Sequence, residues 1–332
     1  MMIKRTFAAA AAALCCLGAS LGASAQTSIQ LQHYQVTGNH ALDALGELGL
    51  EASAVTYARD RGTLFFVGDE GLGVVEITRT GQTVGSMAFN WAGTGSSNND
   101  AEGLTYLGNG QLVLTEERLQ DAYRFSYAAG GSVALATTAW ASIGNTVGNV
   151  GTEGISFDPR DGSFVSVKQD NPQAVLAGSL NFATGGGSST LAPLFDADAR
   201  LGLASLSDVQ TLSPVDRLIG TPAADNLLIL SLDSRRLVEV DRTGHLLSSL
   251  DLSGVTTQAI EGLTIDEQGV IYLVAEDSGT ANSRLFVLTS PVPEPGTVAL
   301  MLVGLAAVAR RASAKATRRA AAQSGRGLTI SG

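Results

Sequence analysis

The chain has 332 residues, with 31 acidic against 21 basic side chains and a formal charge of −10, too few clustered cations to track a nucleic-acid backbone. Its two cysteines are the neighbours Cys15 and Cys16. Both fall in a segment that reads as a removable leader, which excludes disulfides, cysteine nucleophiles and thiolate metal sites from the mature protein.

That leader runs Met1-Met2-Ile3-Lys4-Arg5, an apolar stretch from Phe7 to Leu21, then Ala23-Ser24-Ala25 before Gln26. Positive, apolar and small-residue zones in that order describe a secretory signal over residues 1–25, cleaved after Ala25 at the site that Ala23 and Ala25 form. The apolar stretch falls short of the roughly 20 residues a bilayer needs. A lipoprotein signal needs a small residue before its cysteine, and Leu14 and Cys15 stand there instead.

Residues 26–291 alternate short apolar runs with Gly, Asp and Asn, the pattern of strands and turns. Ile29 to Val36 is an isolated strand ahead of the first repeat. Acids then open successive units at Glu51, Glu102, Glu153, Asp208 and Glu261, with spacings of 51, 51, 55 and 53 residues. A period near 50 with about four strands per unit is the signature of propeller blades.

One unit is legible in full as Ser207–Ser213, Asn226–Ser231, Arg236–Asp241 and His245–Leu252. The last offers three strands, Glu261–Ile265, Val270–Ala275 and Arg284–Thr289. The isolated N-terminal strand would supply the fourth and leave no open sheet edge. The expectation is an all-β fold, a single β-propeller of five blades, with six as the alternative. A β-sandwich gives no reason for an acid every fifty residues or so. The stretches 93–99, 144–151 and 184–190, rich in Gly, Ser, Asn and Thr, are loops within it.

In an up-and-down blade the first strand starts, and the second ends, at one rim. The second strands end at Asp69-Glu70, Glu116-Glu117, Lys168-Gln169-Asp170, Asp233 and Glu276-Asp277. The opening acids Glu51, Glu102, Glu153, Asp208 and Glu261 are therefore candidate metal ligands at one mouth of the channel, with Asp69, Glu70, Glu116, Glu117, Asp233 and Glu276 as a secondary acidic rim. Such a ring needs compensation: a hard cation such as Ca²⁺, backbone N–H groups at the blade junctions, or cations such as Lys168 and Arg118. Both the ligand role and the backbone-capping role fit a repeated acid. The three histidines, His33, His40 and His245, lie in or near strands and turns, and no nucleophile elbow, zinc helix or phosphate loop is present. No catalytic residue is assigned, although a Ca²⁺-assisted hydrolase built from carboxylates needs no histidine.

The C-terminal segment reads Val292-Pro293-Glu294-Pro295-Gly296, an apolar run from Thr297 to Ala309, and then Arg310-Arg311, Lys315 and Arg318-Arg319. A proline-stiffened joint, a short transmembrane segment and a cationic stop occupy residues 292–311, followed by a basic tail at 312–332 expected to be disordered. With the cations of leader and tail set aside, residues 26–309 hold all 31 acids against 13 bases, a balance near −18. Cations and cationic partners match this body electrostatically, and a polysaccharide is a further candidate partner. The segment around Val292, Pro293, Glu294 and Pro295 resembles the PEP-CTERM sorting signal. That resemblance implies recognition and cleavage by an exosortase-type enzyme, a transient membrane anchor and delivery to the cell envelope, periplasm or exterior. The chain departs from the pattern by continuing some twenty residues past Arg311.

The body resembles the SdiA-regulated family of extracytoplasmic propellers. The matching residues are Glu51-x-Ser53, Val67-Gly68-Asp69-Glu70-Gly71, Asp100-x-Glu102-Gly103-Leu104, Leu114-Thr115-Glu116-Glu117-Arg118, Thr152-Glu153-Gly154-Ile155, Leu206-Ser207-Asp208, the run from Leu230 to Leu237, and Ile260-Glu261-Gly262-Leu263. Ala54 stands where the pattern has glycine, and Gln169 where it has an acid. The resemblance implies a propeller with a bound divalent cation and no defined activity. The resulting expectation is an exported binding or scaffold propeller with a Ca²⁺-binding acidic mouth, more readily a non-enzyme. The alternative is a Ca²⁺-dependent hydrolase of an ester, lactone or phosphoester at the same mouth.

Overall fold

A computed structural model describes residues 26–277, 282–291, 304–306 and 308–311. The cleavage site at Ala23 and Ala25 and the motif Val292 to Pro295 lie outside the described residues. Residues 304–306 and 308–311 are helical. Among the described residues no helix is long and apolar enough to cross a membrane.

Five largely antiparallel sheets form the blades of a ring; in four of them the strands run in chain order from the central channel outward, with Ser132–Ala134 added in parallel to the outside of the first and Ala183–Thr184 to the outside of the second. The first blade is Ala52–Ala58, Thr63–Gly68, Gly73–Ile77 and Thr83–Asn90. The second is Ala101–Gly108, Gln111–Glu116, Asp121–Ser126 and Ala139–Ser142. The third is Thr152–Asp158, Ser163–Lys168, Ala174–Gly178 and Ala192–Asp196. The fourth is Asp208–Thr211, Leu227–Ser231, Arg236–Val240 and Leu246–Asp251. Ile260–Ile265, Ile271–Ala275 and Arg284–Thr289 make three strands of the fifth, and Gln35–Ala41 completes it from the other end of the chain.

Closure by the N-terminal segment is as expected, but the strand starts six residues later than Ile29. Gln30 adopts φ 61°, Leu31–His33 turn as a 3₁₀ helix, and Ile29, Leu31 and Tyr34 are buried with Leu212, Leu218 and Leu228 of the fourth blade and Leu273 and Phe286 of the fifth. The apolar alternation that looks like a strand is in fact a strap sealing two blades. The real closing strand is a polar outer edge without that alternation. Glu239, fully buried, fixes the strap by accepting from the N–H of Ile29 at 3.0 Å and the hydroxyl of Ser28 at 2.6 Å.

The apolar faces pack between blades. Phe65, wholly buried, stacks on Tyr106 of the next blade at 5.8 Å between ring centres. Truncating so large a core side chain to alanine costs about 3–5 kcal/mol, so the core sits in these wedges and the channel is left to polar groups. Around the channel the inner strands are tied by one repeated contact. The hydroxyls of Thr56, Thr105, Ser156 and Thr264 accept the N–H groups of Tyr106, Phe157, Thr211 and Tyr57 respectively at 3.0–3.1 Å. Gln210 Oε1 completes the belt by accepting from the Thr264 hydroxyl at 3.0 Å.

Candidate functional site

The belt gives a register for everything upstream of it. Three residues before Thr56, Thr105, Ser156, Gln210 and Thr264 stand Ser53, Glu102, Glu153, Ser207 and Glu261. Ser53, Glu102, Glu153 and Glu261 each sit where the pairing of the inner with the second strand slips by one residue. A bulge at that point re-aims a side chain, so three of the five blades present a glutamate at one structural position. Glu51 and Asp208, the other two opening acids, occupy different positions.

Glu51 precedes its strand with φ 48°, and its carbonyl accepts the N–H of Asp69 at 3.3 Å. This turn crosses directly over Gly68, where a Cβ would lie 1.8 Å from the Leu50 carbonyl oxygen. Burial and the charges of Asp69, Glu70, Glu276 and Asp277 push the Glu51 carboxyl up to about 7. Asp208 stands one residue past the glutamate position, where other blades have Gly103, Gly154 and Gly262. Its two oxygens accept the N–H groups of Val209 and Leu263, both at 2.7 Å. Burial raises its carboxyl well above the usual range against the pull of those two bonds. Asp208 thus fills the backbone-capping role.

The remaining acids converge. Carboxylate oxygens of Asp69, Asp100 and Glu102 lie within 4.8 Å of one another, a separation that one hard cation can span. Asp69 comes from the loop after the second strand of the first blade, the other two from the entry of the second blade. Burial, then the field of Asp100, Glu276 and Glu70, holds Asp69 up at about 6. Glu102 is raised well above the ordinary range by burial and by Glu153, Glu261, Asp69 and Asp100. Glu261 rises to about 8 through burial, Glu276, Asp69 and Glu51. Asp100 is clamped by the Arg118 guanidinium.

Beside them Glu153 and Glu117 form a carboxylic pair. Glu117 accepts the N–H of Gly151 at 2.9 Å. Burial, and then the neighbouring Glu117, raises the Glu153 carboxyl well above the usual range, and burial raises Glu117 as well. Other rim acids stand apart. Glu116 is buried and staples its loop, accepting from Ser96 Oγ at 2.6 Å and Leu119 N–H at 2.5 Å. Glu70 and Asp233 are exposed, and Glu276 is half-buried and acts on the cluster through its charge. The Lys168 ammonium donates to the carbonyls of Asp170 and Pro172.

Sequence reasoning assigned Glu102 and Asp69 to this mouth and passed over Asp100. The signal was present in Asp100-x-Glu102, two acids at the entry of one inner strand. The belt hydroxyls were also overlooked, although each follows the glutamate position by three residues.

The family model described as SdiA-regulated matches residues 26–279, and the PEP-CTERM protein-sorting motif matches residues 291–315. Among solved structures, a luciferin-regenerating enzyme aligns at 10% identity over 76% of this chain and 95% of its own, with a TM-score of 0.47. The glutaminyl cyclase of Myxococcus xanthus aligns at 11% identity, 77% and 95% coverage and a TM-score of 0.48. The β-propeller domain of Myceliophteria thermophila Cps50 (Swd1) aligns at 12% identity, 74% and 66% coverage and a TM-score of 0.36.

Proposed function

The chain belongs to the SdiA-regulated family, and on that premise we propose that it is an envelope-sorted binding propeller whose acidic mouth holds a divalent cation, Ca²⁺ by preference, on Asp69, Asp100 and Glu102. Its PEP-CTERM motif indicates export and sorting to the envelope. In the same proposal the leader is removed after Ala25 and an exosortase-type enzyme processes the tail near Val292 to Pro295.

The observation that carries the cation reading is the meeting of three carboxylates within 4.8 Å, beside Glu51 and Glu261, whose carboxyls burial and then neighbouring acids push up to about 7 and about 8. A hard cation with six to eight oxygen ligands relieves that repulsion, and these are oxygen donors. Calorimetric titration of Ca²⁺ into chelator-stripped protein tests it. A saturable one-to-one heat and a rise in melting temperature are expected. Absence of both overturns the reading.

A second reading, hydrolysis of an ester, lactone or phosphoester at the same mouth, is favoured by one feature. Glu153, whose carboxyl burial and then Glu117 raise well above the usual range, stands beside the cation ligands and can serve there as a general acid. Ca²⁺-dependent turnover of a nitrophenyl ester or phosphodiester, lost in Glu153→Gln with Ca²⁺ binding intact, would select this reading over simple binding.

A further inference from the structure

The channel has a second mouth. At the far ends of the inner strands, below the hydroxyl belt, all five blades contribute to a cavity of about 590 Å³, within the range of sites that bury small ligands. Its walls include Tyr57, Tyr106 and Phe157, which follow the belt residues of three successive blades.

Its polar groups are of a different kind from the acidic mouth. Arg59, at the rim, is neutralised by a two-pronged contact to Asp216 at 2.9 and 3.0 Å. Glu267 is paired through Oε1 with Arg79 at 3.3 Å, while its Oε2 is buried and, among the described residues, has no hydrogen-bond partner. Asp60 accepts the N–H of Asn109 at 3.0 Å. In the floor, Thr56 and Thr105 accept N–H groups through Oγ1 and, among the described residues, donate their own hydroxyl hydrogens to no protein acceptor.

We propose that this second mouth is a binding site for a neutral carbohydrate, one or two sugar units of a glycan chain end. Aromatic walls suit the C–H faces of a pyranose. Glu267 Oε2 and Asp60 offer acceptors to sugar hydroxyls, and the two threonines offer donors to sugar oxygens. A fatty chain would leave that floor unpaired, and an anion would meet Glu267 and Asp60 inside an acidic body. The inference rests on the reading of this protein as a binding propeller and not on the cation, which lies at the other mouth.

Saturation-transfer NMR on the full chain, with maltose, cellobiose, N,N′-diacetylchitobiose, digalacturonate and decanoate as probes, tests it. At least one neutral disaccharide should receive saturation. Tyr106→Ala should weaken it about tenfold, the volume-conserving Glu267→Gln should also weaken it, and Asp100→Asn should leave it unchanged. Glu267→Gln reads the same site if Tyr106→Ala lowers the melting temperature. Signal from digalacturonate or decanoate alone, no signal from any neutral sugar, sugar binding that survives both substitutions, or loss on Asp100→Asn overturns the proposal. Absence of Ca²⁺ binding in the unsubstituted protein, with sugar binding present, would end the cation reading and leave this one standing.

Discussion

Asp208 reaches across a blade junction to accept the N–H of Leu263 at 2.7 Å while its other oxygen takes the N–H of Val209 at the same distance. The carboxylate is buried among backbone donors of the ring seam, and Gly154 leaves room for it, since a Cβ there would lie 2.3 Å from Asp208 Oδ1. Asp208→Ala strands two buried N–H groups, at about 1–3 kcal/mol for each unsatisfied group. Thermal denaturation should show a melting temperature lowered by about 5–10 °C for a domain of this size. Gly154→Ala should destabilise in the same direction, because overpacking costs about 1–3 kcal/mol. Ca²⁺ affinity of folded Asp208→Ala should stay within about twofold of the parent; a tenfold loss would make Asp208 a ligand rather than a seam staple.

The strap from Gln26 to Tyr34 makes a comparable prediction for ring closure. Glu239 accepts from Ser28, Ile29, Asn226 at 2.8 Å and Ser248 at 2.8 Å, and Ile29, Leu31 and Tyr34 cover the seam beneath. Glu239→Ala removes one acceptor from four partners, and a charged hydrogen bond is worth about 1.5–3 kcal/mol. Hydrogen exchange should then quicken first in Gln35–Ala41 and Arg284–Thr289, the pair the strap delivers. Uniform quickening across all five blades would contradict that local role.

The same seams explain what was legible in the sequence. Blade number and strand order follow from periodic apolar runs, because each blade must bury both faces, and closure by the N-terminus follows from the last unit having only three strands of its own. The fifty-residue spacing misplaced Glu51 and Asp208, because register depends on the bulges at Ser53, Glu102, Glu153 and Glu261. A bulge consumes one residue without changing composition or period. Ile29 and Leu31 looked like a strand because a 3₁₀ turn can also bury alternate residues. Asp100 was hidden by proximity, since strict strand alternation describes residues two apart as neighbours on one face but does not say that a loop acid from another blade, Asp69, will meet them.

Within the acidic mouth the rim acids should separate by function. Asp100→Asn and Glu102→Gln each remove charge from the group within 4.8 Å and should weaken Ca²⁺ at least about tenfold by calorimetry, a change of about 1.4 kcal/mol. Asp233→Asn, at an exposed position, should leave it unchanged. Glu116→Gln should lower stability through the loop contacts to Ser96 and Leu119 with little effect on affinity. Equal losses in all four would mean a diffuse field effect rather than a coordination site.

Proton linkage gives the last test. Glu261 moves from an ordinary 4.5 to about 8, Glu51 from 4.5 to about 7 and Asp69 from 3.8 to about 6 on folding. Each folded group holds its proton more tightly than the unfolded one, so its contribution to stability is complete below the unfolded values and is lost as pH rises through the folded ones. Without metal, the contribution of these groups should therefore make the melting temperature fall between about pH 4.5 and 8. Ca²⁺ reverses the slope, because it binds the deprotonated carboxylates and so gains affinity over the same window. Titrations at pH 6 in two buffers of different ionisation enthalpy should give different heats, reporting proton release, and the difference should shrink by about pH 9. Affinity that rises as pH falls would rule out these carboxylates as the ligands.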